Sequence, residues 1–347
     1  MHWNRIAIAA TALFLGISEL AQAEEMDFAS WGGAYQDGIH KAWIQPFSTE
    51  TGILVNEDTD PKLAKIKAMV DTNSVSWDVV TAGGGTLMQG VKQGLFEKLT
   101  GAVDESHAFP SARNDYGAPS EIFSTLIGFS TQAFPVGGKQ PKTFADFWDV
   151  KTFPGKRAMP NNPDTVLEAA LLADGVPADK VYSTLSTPAG LQRAIDKVKA
   201  LKPDIAIWWA NGAQPVQALA SGSVTLALGW NGRFQAGIDQ NLPIAMAWDE
   251  SIAQVGYFMI VKGAPHKAQA VKFLNYIETP EAQSRFSNYV AYGPTTPEAM
   301  TLIEPARAER LPTTPARMKN TLFEDIAWWS EHGAEANERY TGMMQGQ

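Results

Sequence analysis

The strongest constraint on this chain is the alternation of two hydrophobic periods along it. Residues 26–30, 52–56 and 77–81 are short apolar runs of strand length, and helical spacing fills the gaps between them. Ile39, Trp43 and Phe47 fall four residues apart, and Leu63, Ile66 and Met69 share one helical face. Strands that alternate with helices pair in parallel, so the pattern predicts a sheet covered by helices. Two extended pieces between Ile122 and Phe134 interrupt it, and then it restarts. Residues 156–159, 205–208 and 224–228 read as strands, with helices over 165–173, 191–201 and 215–221. A further strand over 257–261 leads into a helix over 267–277, and the tail 316–340 holds two helical stretches. The expected fold class is α/β, with two doubly wound lobes joined by hinge strands. Residues 24–128 with 258–300 form one lobe, 129–257 the other, and 301–347 are C-terminal helices packing across both. Crossings are expected near 127–134 and 250–258, which makes a hinged clamp.

Residues 1–23 read as a cleavable export signal. His2 and Arg5 are its early basic groups, an apolar core follows from Ile6, and Ala21-Gln22-Ala23 gives the small-x-small cleavage pattern. The apolar core is shorter than the ~20 residues a membrane span needs. The chain from Glu24 onward is therefore expected to work in the periplasm.

Composition narrows the chemistry. There is no cysteine, which excludes disulfides, thiolate catalysis and iron–sulfur clusters. The five histidines are scattered without metal-ligand spacing, and no G-x-S-x-G or Ser/His/Asp arrangement occurs. No catalytic residue, metal or cofactor is expected, and the chain does not read as an enzyme. A net charge of −9 argues against nucleic acid and anionic lipid. Eleven tryptophans are present, several beside Gly, Asn or polar residues, which suits a pocket that stacks flat or cationic groups.

Several motifs occur in a fixed order. They are Trp31-Gly-Gly-Ala-Tyr35, Trp77-Asp78-Val-Val, Gly94-Leu-Phe, Phe144-Ala-Asp-Phe-Trp148-Asp149 and Phe153-Pro-Gly-Lys-Arg157. Ala220-Ser-Gly222, Trp230-Asn231-Gly232, Val261-Lys-Gly-Ala-Pro265 and Tyr292-Gly-Pro-Thr follow. In this order the chain resembles the periplasmic solute-binding proteins of ABC importers, of the polyamine (spermidine/putrescine) type. The resemblance runs over nearly all of the chain after residue 23. It implies a type II binding-protein fold, a ligand held between lobes, and docking of the closed form on membrane permease subunits.

The resemblance also places the site. Relatives box the ligand's methylene chain with aromatic residues and hold its ammonium ends with carboxylates. Trp31 matches the first box position, with Tyr35 on the following turn; Trp230 and Tyr292 match later ones. Trp209 is expected to face the cleft and Trp208 the core. Gly83 and Gly84, with Ala82 and Gly85, match the loop after the third strand. Three glycines suit either backbone N–H groups exposed to an anion or a tight turn of positive φ. Asp164 and Glu168 are the available acids at the second-lobe helix, and Asp164 reads equally as its N-cap. Two departures stand out. Arg233 follows Trp230 where it would repel a polyamine and bind a carboxylate. No acid occurs in the run 254–257, where relatives carry an aspartate, although Asp249 and Glu250 precede it as a displaced ammonium site or a solvated loop. The expected ligand is a small amine or zwitterion such as an ω-amino acid, with a polyamine second, captured by a monomer that binds no nucleic acid. The alternatives are a secreted enzyme acting on a small solute and an iron-binding transferrin-like receptor built on Tyr289 and Tyr292.

Overall fold

The computed structural model describes residues 24–346, so the export signal expected over 1–23 lies outside the described residues. Among the described residues nine strands occur: β1 (Glu25–Ser30), β2 (Leu54–Thr59), β3 (Val79–Gly83), β4 (Ala118–Ser130), β5 (Arg157–Pro160), β6 (Ile205–Trp209), β7 (Leu226–Trp230), β8 (Ile244–Ile260) and β9 (Thr321–Phe323). Their order is β2-β1-β3-β8-β4-β7-β5-β6, with β9 on β8. β1 pairs in parallel with β2 and β3, and β5 in parallel with β6 and β7. These are the two doubly wound halves that the alternation predicts.

The halves do not form separate sheets. β4 and β8 are 13 and 17 residues long and antiparallel to each other, and they run from one half into the other. The start of β4 lies beside the end of β8, which pairs with β3. Its second part, from Thr125 to Phe129, pairs with β7. A register shift between Thr125 and Ile127 breaks the β4–β8 ladder where the halves meet. Both strands are apolar along most of their length because helices cover both faces.

Each half has a core on either side of its sheet. Ile39, Trp43 and Phe47 are buried on one face of the first half, as their spacing predicts, and Trp43 stacks on Phe286 at 4.4 Å. Ile66 and Leu87 fill the other face. In the second half, Leu167, Leu171, Ile195 and Val198 lie on one face and Phe234 and Leu219 on the other.

Two quoted motifs explain themselves in the fold. Asp78 is fully buried, and its carboxylate accepts from Asp27 N at 2.8 Å and from His266 N at 2.7 Å. It thereby ties β1 to the start of the helix Lys267–Ile277. Arg157 is buried and donates to the carbonyls of Phe147, Phe153 and Gly155, which pins the loop before β5. Such buried polar side chains persist because every donor finds an acceptor.

The last helix, Ile326–Gln345, packs on Gly84–Lys92 of the first half and on Pro188–Leu201 of the second. Among the described residues no helix is long and apolar enough to cross a membrane.

Candidate functional site

The carboxyl ends of the parallel strands face one region, where open α/β sheets bind ligands. β1 and β3 deliver Trp31 and Gly83 there; β5, β6 and β7 deliver Asp164, Trp209 and Trp230. β4 and β8 pass behind at Phe123 and Gln254, which are register partners.

An aromatic wall joins the halves. Trp230 stands edge-on to Trp209 at 5.4 Å and to Phe123 at 6.1 Å. Phe123 meets Tyr292 at 5.4 Å, and Tyr292 meets Tyr35 at 6.4 Å. Trp209 is buried and donates its indole N–H to Leu228 O at 2.9 Å, so it backs Trp230. Trp208 is half-buried and packs on the core of the second half, edge-on to Tyr340 at 6.3 Å. Trp31 is 50% exposed. Arg233 is exposed and, with Tyr35 and Tyr292, lines a cavity of about 100 Å³. Burial pushes the Tyr292 phenol up to about 12, against the opposing charge of Arg233. Gly232 leaves room for Tyr292, because a Cβ there would lie 2.4 Å from its ring.

The run 254–257 holds no acid, but one stands opposite it on the neighbouring strand. Glu121 of β4 is the register partner of Gly256. A Cβ on Gly256 would sit 2.3 Å from Glu121 Oε1, so a side chain on β8 and this glutamate exclude each other. Glu121 is buried, accepts from Tyr35 OH at 2.7 Å, and keeps Oε2 without a partner. Burial pushes its carboxyl up to about 7.

A larger cavity of about 520 Å³ lies between the halves and the last helix. Gly83, Gly84, Asp164, Gln254, Glu324 and Trp329 are among its walls. Asp164 and Glu324 face each other across it, and burial raises both, with the charge of Asp164 adding to the rise of Glu324. Glu168 is buried behind them and accepts from Trp329 Nε1 at 2.6 Å and Tyr182 OH at 3.0 Å. Burial, then the charge of Asp164, pushes Glu168 up to about 8. Asp164 Oδ1 and Glu168 Oε2 have no partner.

The glycine loop is settled by geometry. Gly83, Gly84 and Gly85 have no positive φ, so the tight-turn reading does not hold. Gly83 is the N-cap of the helix Gly84–Lys92, and no side chain caps that helix start. Its first amides therefore lack an intrahelical partner and open on the larger cavity. Asp164 is not an N-cap either. Thr165 holds that position at φ 62 without a side-chain cap.

The site residues thus fall into groups. Tyr35, Arg233 and Tyr292 share the smaller cavity, and Gly83, Gly84 and Asp164 the larger. Trp209 and Trp230 touch each other. Asp249 is exposed on β8 and borders neither cavity, while Glu250 accepts from Phe144 N at 2.7 Å. That pair lies on a strand, not the solvated loop. Sequence reasoning missed Glu121, Glu324 and Trp329. Register alone reveals Glu121, and the return of the tail reveals the other two.

Fold and cleft define a two-lobed extracytoplasmic binding protein of type II architecture, and comparison with known proteins makes the class specific. The sequence pattern of the bacterial extracellular solute-binding proteins matches residues 42–313, and the chain belongs to that family, in its polyamine-type branch. It is 36% identical over 323 residues to the gamma-aminobutyric acid-binding protein of Pseudomonas aeruginosa, covering 92% of this chain and 91% of that one. It is 26% identical over 322 residues to the spermidine/putrescine-binding periplasmic protein of Escherichia coli, covering 87% of each. An ABC transporter substrate-binding protein from Bradyrhizobium japonicum superposes with a TM-score of 0.87 at 36% identity, covering 92% of this chain and 99% of that one.

Proposed function

We propose that this chain is the solute-binding component of an ABC importer. It captures a small zwitterion of the ω-amino-acid class between its lobes and delivers it to the permease. The observation that carries the reading is one cavity in which buried carboxyl groups, Asp164 and Glu324, share the walls with an uncapped helix start at Gly83–Gly85. A carboxyl pair receives an ammonium, and free amides at a helix start receive a carboxylate. The gamma-aminobutyric acid-binding relative supports the same chemistry. Trp329, on the wall of the same cavity, supplies the apolar face for the methylenes between the charges.

The lobes are residues 24–128 with 258–300 and residues 129–257, and 301–346 fasten one to the other. The chain binds without converting its ligand, acts as a monomer in the periplasm after loss of residues 1–23, and has no affinity for nucleic acid. The acidic balance and the absence of nucleophile and metal motifs support this.

A thermal-shift panel of 4-aminobutyrate, putrescine and spermidine tests the ligand class. At about 100 times its dissociation constant a binder adds ~2.7 kcal/mol of stability. 4-Aminobutyrate is expected to stabilise most. Stabilisation by the polyamines alone overturns the zwitterion and establishes the second reading, which four buried or half-buried acids at the cleft favour. Arg233→Ala then locates the anion seat. A loss of about 2–4 kcal/mol in 4-aminobutyrate binding assigns it to the guanidinium, and a loss below about 1 kcal/mol assigns it to the helix start.

A further inference from the structure

The three acids around the larger cavity have no cation to balance them. Asp164 and Glu324 line the same cavity, and the charge of Asp164 adds to burial in raising Glu324, so the pair favours keeping one proton between its carboxyls. Glu168 adds a third carboxyl and is completely buried. Its Oε1 takes both available donors, Trp329 Nε1 and Tyr182 OH, and its Oε2 has none. Asp164 Oδ1 is likewise out of contact with solvent and without a partner. A buried acceptor left unpaired costs free energy unless something arrives to fill it.

The one cation that borders the cavity among the described residues is engaged by a carbonyl. Glu168 stands on the helix Val166–Ala173, and Tyr182, on Val181–Leu185, donates to it and accepts from Asp325 N at 2.8 Å. From β8, Gln254 Nε2 donates to Glu324 Oε2 at 3.3 Å, and Tyr257 lies within the field of Glu324. The last helix contributes Trp329 and its N-cap Asp325. Lys92, on Gly84–Lys92, borders the cavity, but its ammonium is held by Ser330 O. Among the described residues no lysine or arginine acts on Asp164, Glu168 or Glu324.

We infer that the solute's ammonium group replaces the proton shared by Asp164 and Glu324, so that each capture event expels one proton. The inference rests on the ammonium-bearing ligand proposed above. The exchange balances. One positive charge enters with the solute, one proton leaves to solvent, and the site keeps the same net charge. Asp164 Oδ1 gains the donor it lacks, and Glu324 ionises against the new cation instead of sharing a proton. The raised carboxyls agree with this, because burial makes each hold its proton more tightly than a free carboxyl does. Capture then weakens as the medium acidifies, by up to ~tenfold per pH unit where the pair is protonated.

Calorimetric titration of the intact mature chain with 4-aminobutyrate, and with putrescine in parallel, tests this. Two buffers of different ionisation heat at the same pH count the protons released. Wild type is expected to release close to one proton, and its affinity is expected to fall on acidification. Glu324→Gln keeps the acceptor for Gln254 but cannot share an ionisable proton. This variant is expected to bind with little proton release and little pH dependence, and its melting curve reports that it folds. If wild type binds without releasing a proton, the exchange is overturned while the ligand class stands. Unchanged proton release in Glu324→Gln overturns it as well, by placing the proton elsewhere. If neither probe binds, the proposed ligand class fails and the exchange fails with it.

Discussion

Glu121 shows how much one residue's surroundings decide. It sits between the hinge strands with one oxygen on Tyr35 and the other unpaired, and its carboxyl is pushed up to about 7. A folded-state value above the unfolded one means that the native chain binds the extra proton. The stabilising contribution is therefore complete below about pH 4 and is lost as pH rises through 7. Glu121→Gln keeps an acceptor for Tyr35 and removes the charge. It is expected to raise stability at about pH 8 by on the order of 2–3 kcal/mol, with the gain vanishing near pH 4. Urea unfolding at the two pH values measures the gain, and a gain of the same size at both would contradict this account. Glu121 also marks where reading a single line of sequence stops. The search for an acid along 254–257 follows one strand, whereas the acid stands across the ladder, opposite Gly256. No spacing rule within one strand reports its partner's side chain.

Elements were easier to read than sites, and the reason is physical. Ile39, Trp43 and Phe47 repeat with the period of a helix, so their burial follows from position alone. The ladder breaks between Thr125 and Ile127, and Ile252 pairs with Thr125, beside the expected crossings at 127–134 and 250–258, but the strands begin earlier, β4 at Ala118 and β8 at Ile244. An uninterrupted apolar strand carries no mark at the point where it changes lobes. The glycine loop gives the opposite lesson. Its composition fits a strained turn, yet the backbone is ordinary and the constraint is a neighbour. A Cβ on Gly84 would lie 2.2 Å from Ile326 Cγ2, at the contact between Gly84–Lys92 and the last helix. Gly84→Ala is expected to destabilise by about 1–3 kcal/mol, and adding Ile326→Ala should recover part of that loss. Chemical denaturation of the single and double variants measures the coupling. Simple additivity would mean that the two helices do not meet there as described.

At the scale of the whole molecule, both lobes hang on two long strands whose ladder is interrupted where they cross. A few residues near Thr125 and Ile252 can absorb a change in lobe angle while both cores stay packed. Saturating 4-aminobutyrate is expected to reduce the radius of gyration in solution scattering. Scattering curves that superpose with and without it would mean that capture occurs without closure. The last helix limits that motion because it touches both halves.

Trp329 sits on that helix with its indole N–H on Glu168, edge-on to Trp328 at 5.0 Å. Indole emission responds to charge at the ring nitrogen, so this hydrogen bond is a built-in optical probe of the acid cluster. Ligand addition should shift the mature chain's ultraviolet emission, and Trp329→Phe should abolish most of that shift although the other nine tryptophans after residue 23 remain. A spectral response that survives the substitution would place the reporting indole elsewhere. If the shift tracks Trp329, the molecule signals its own loading by colour, with no label attached.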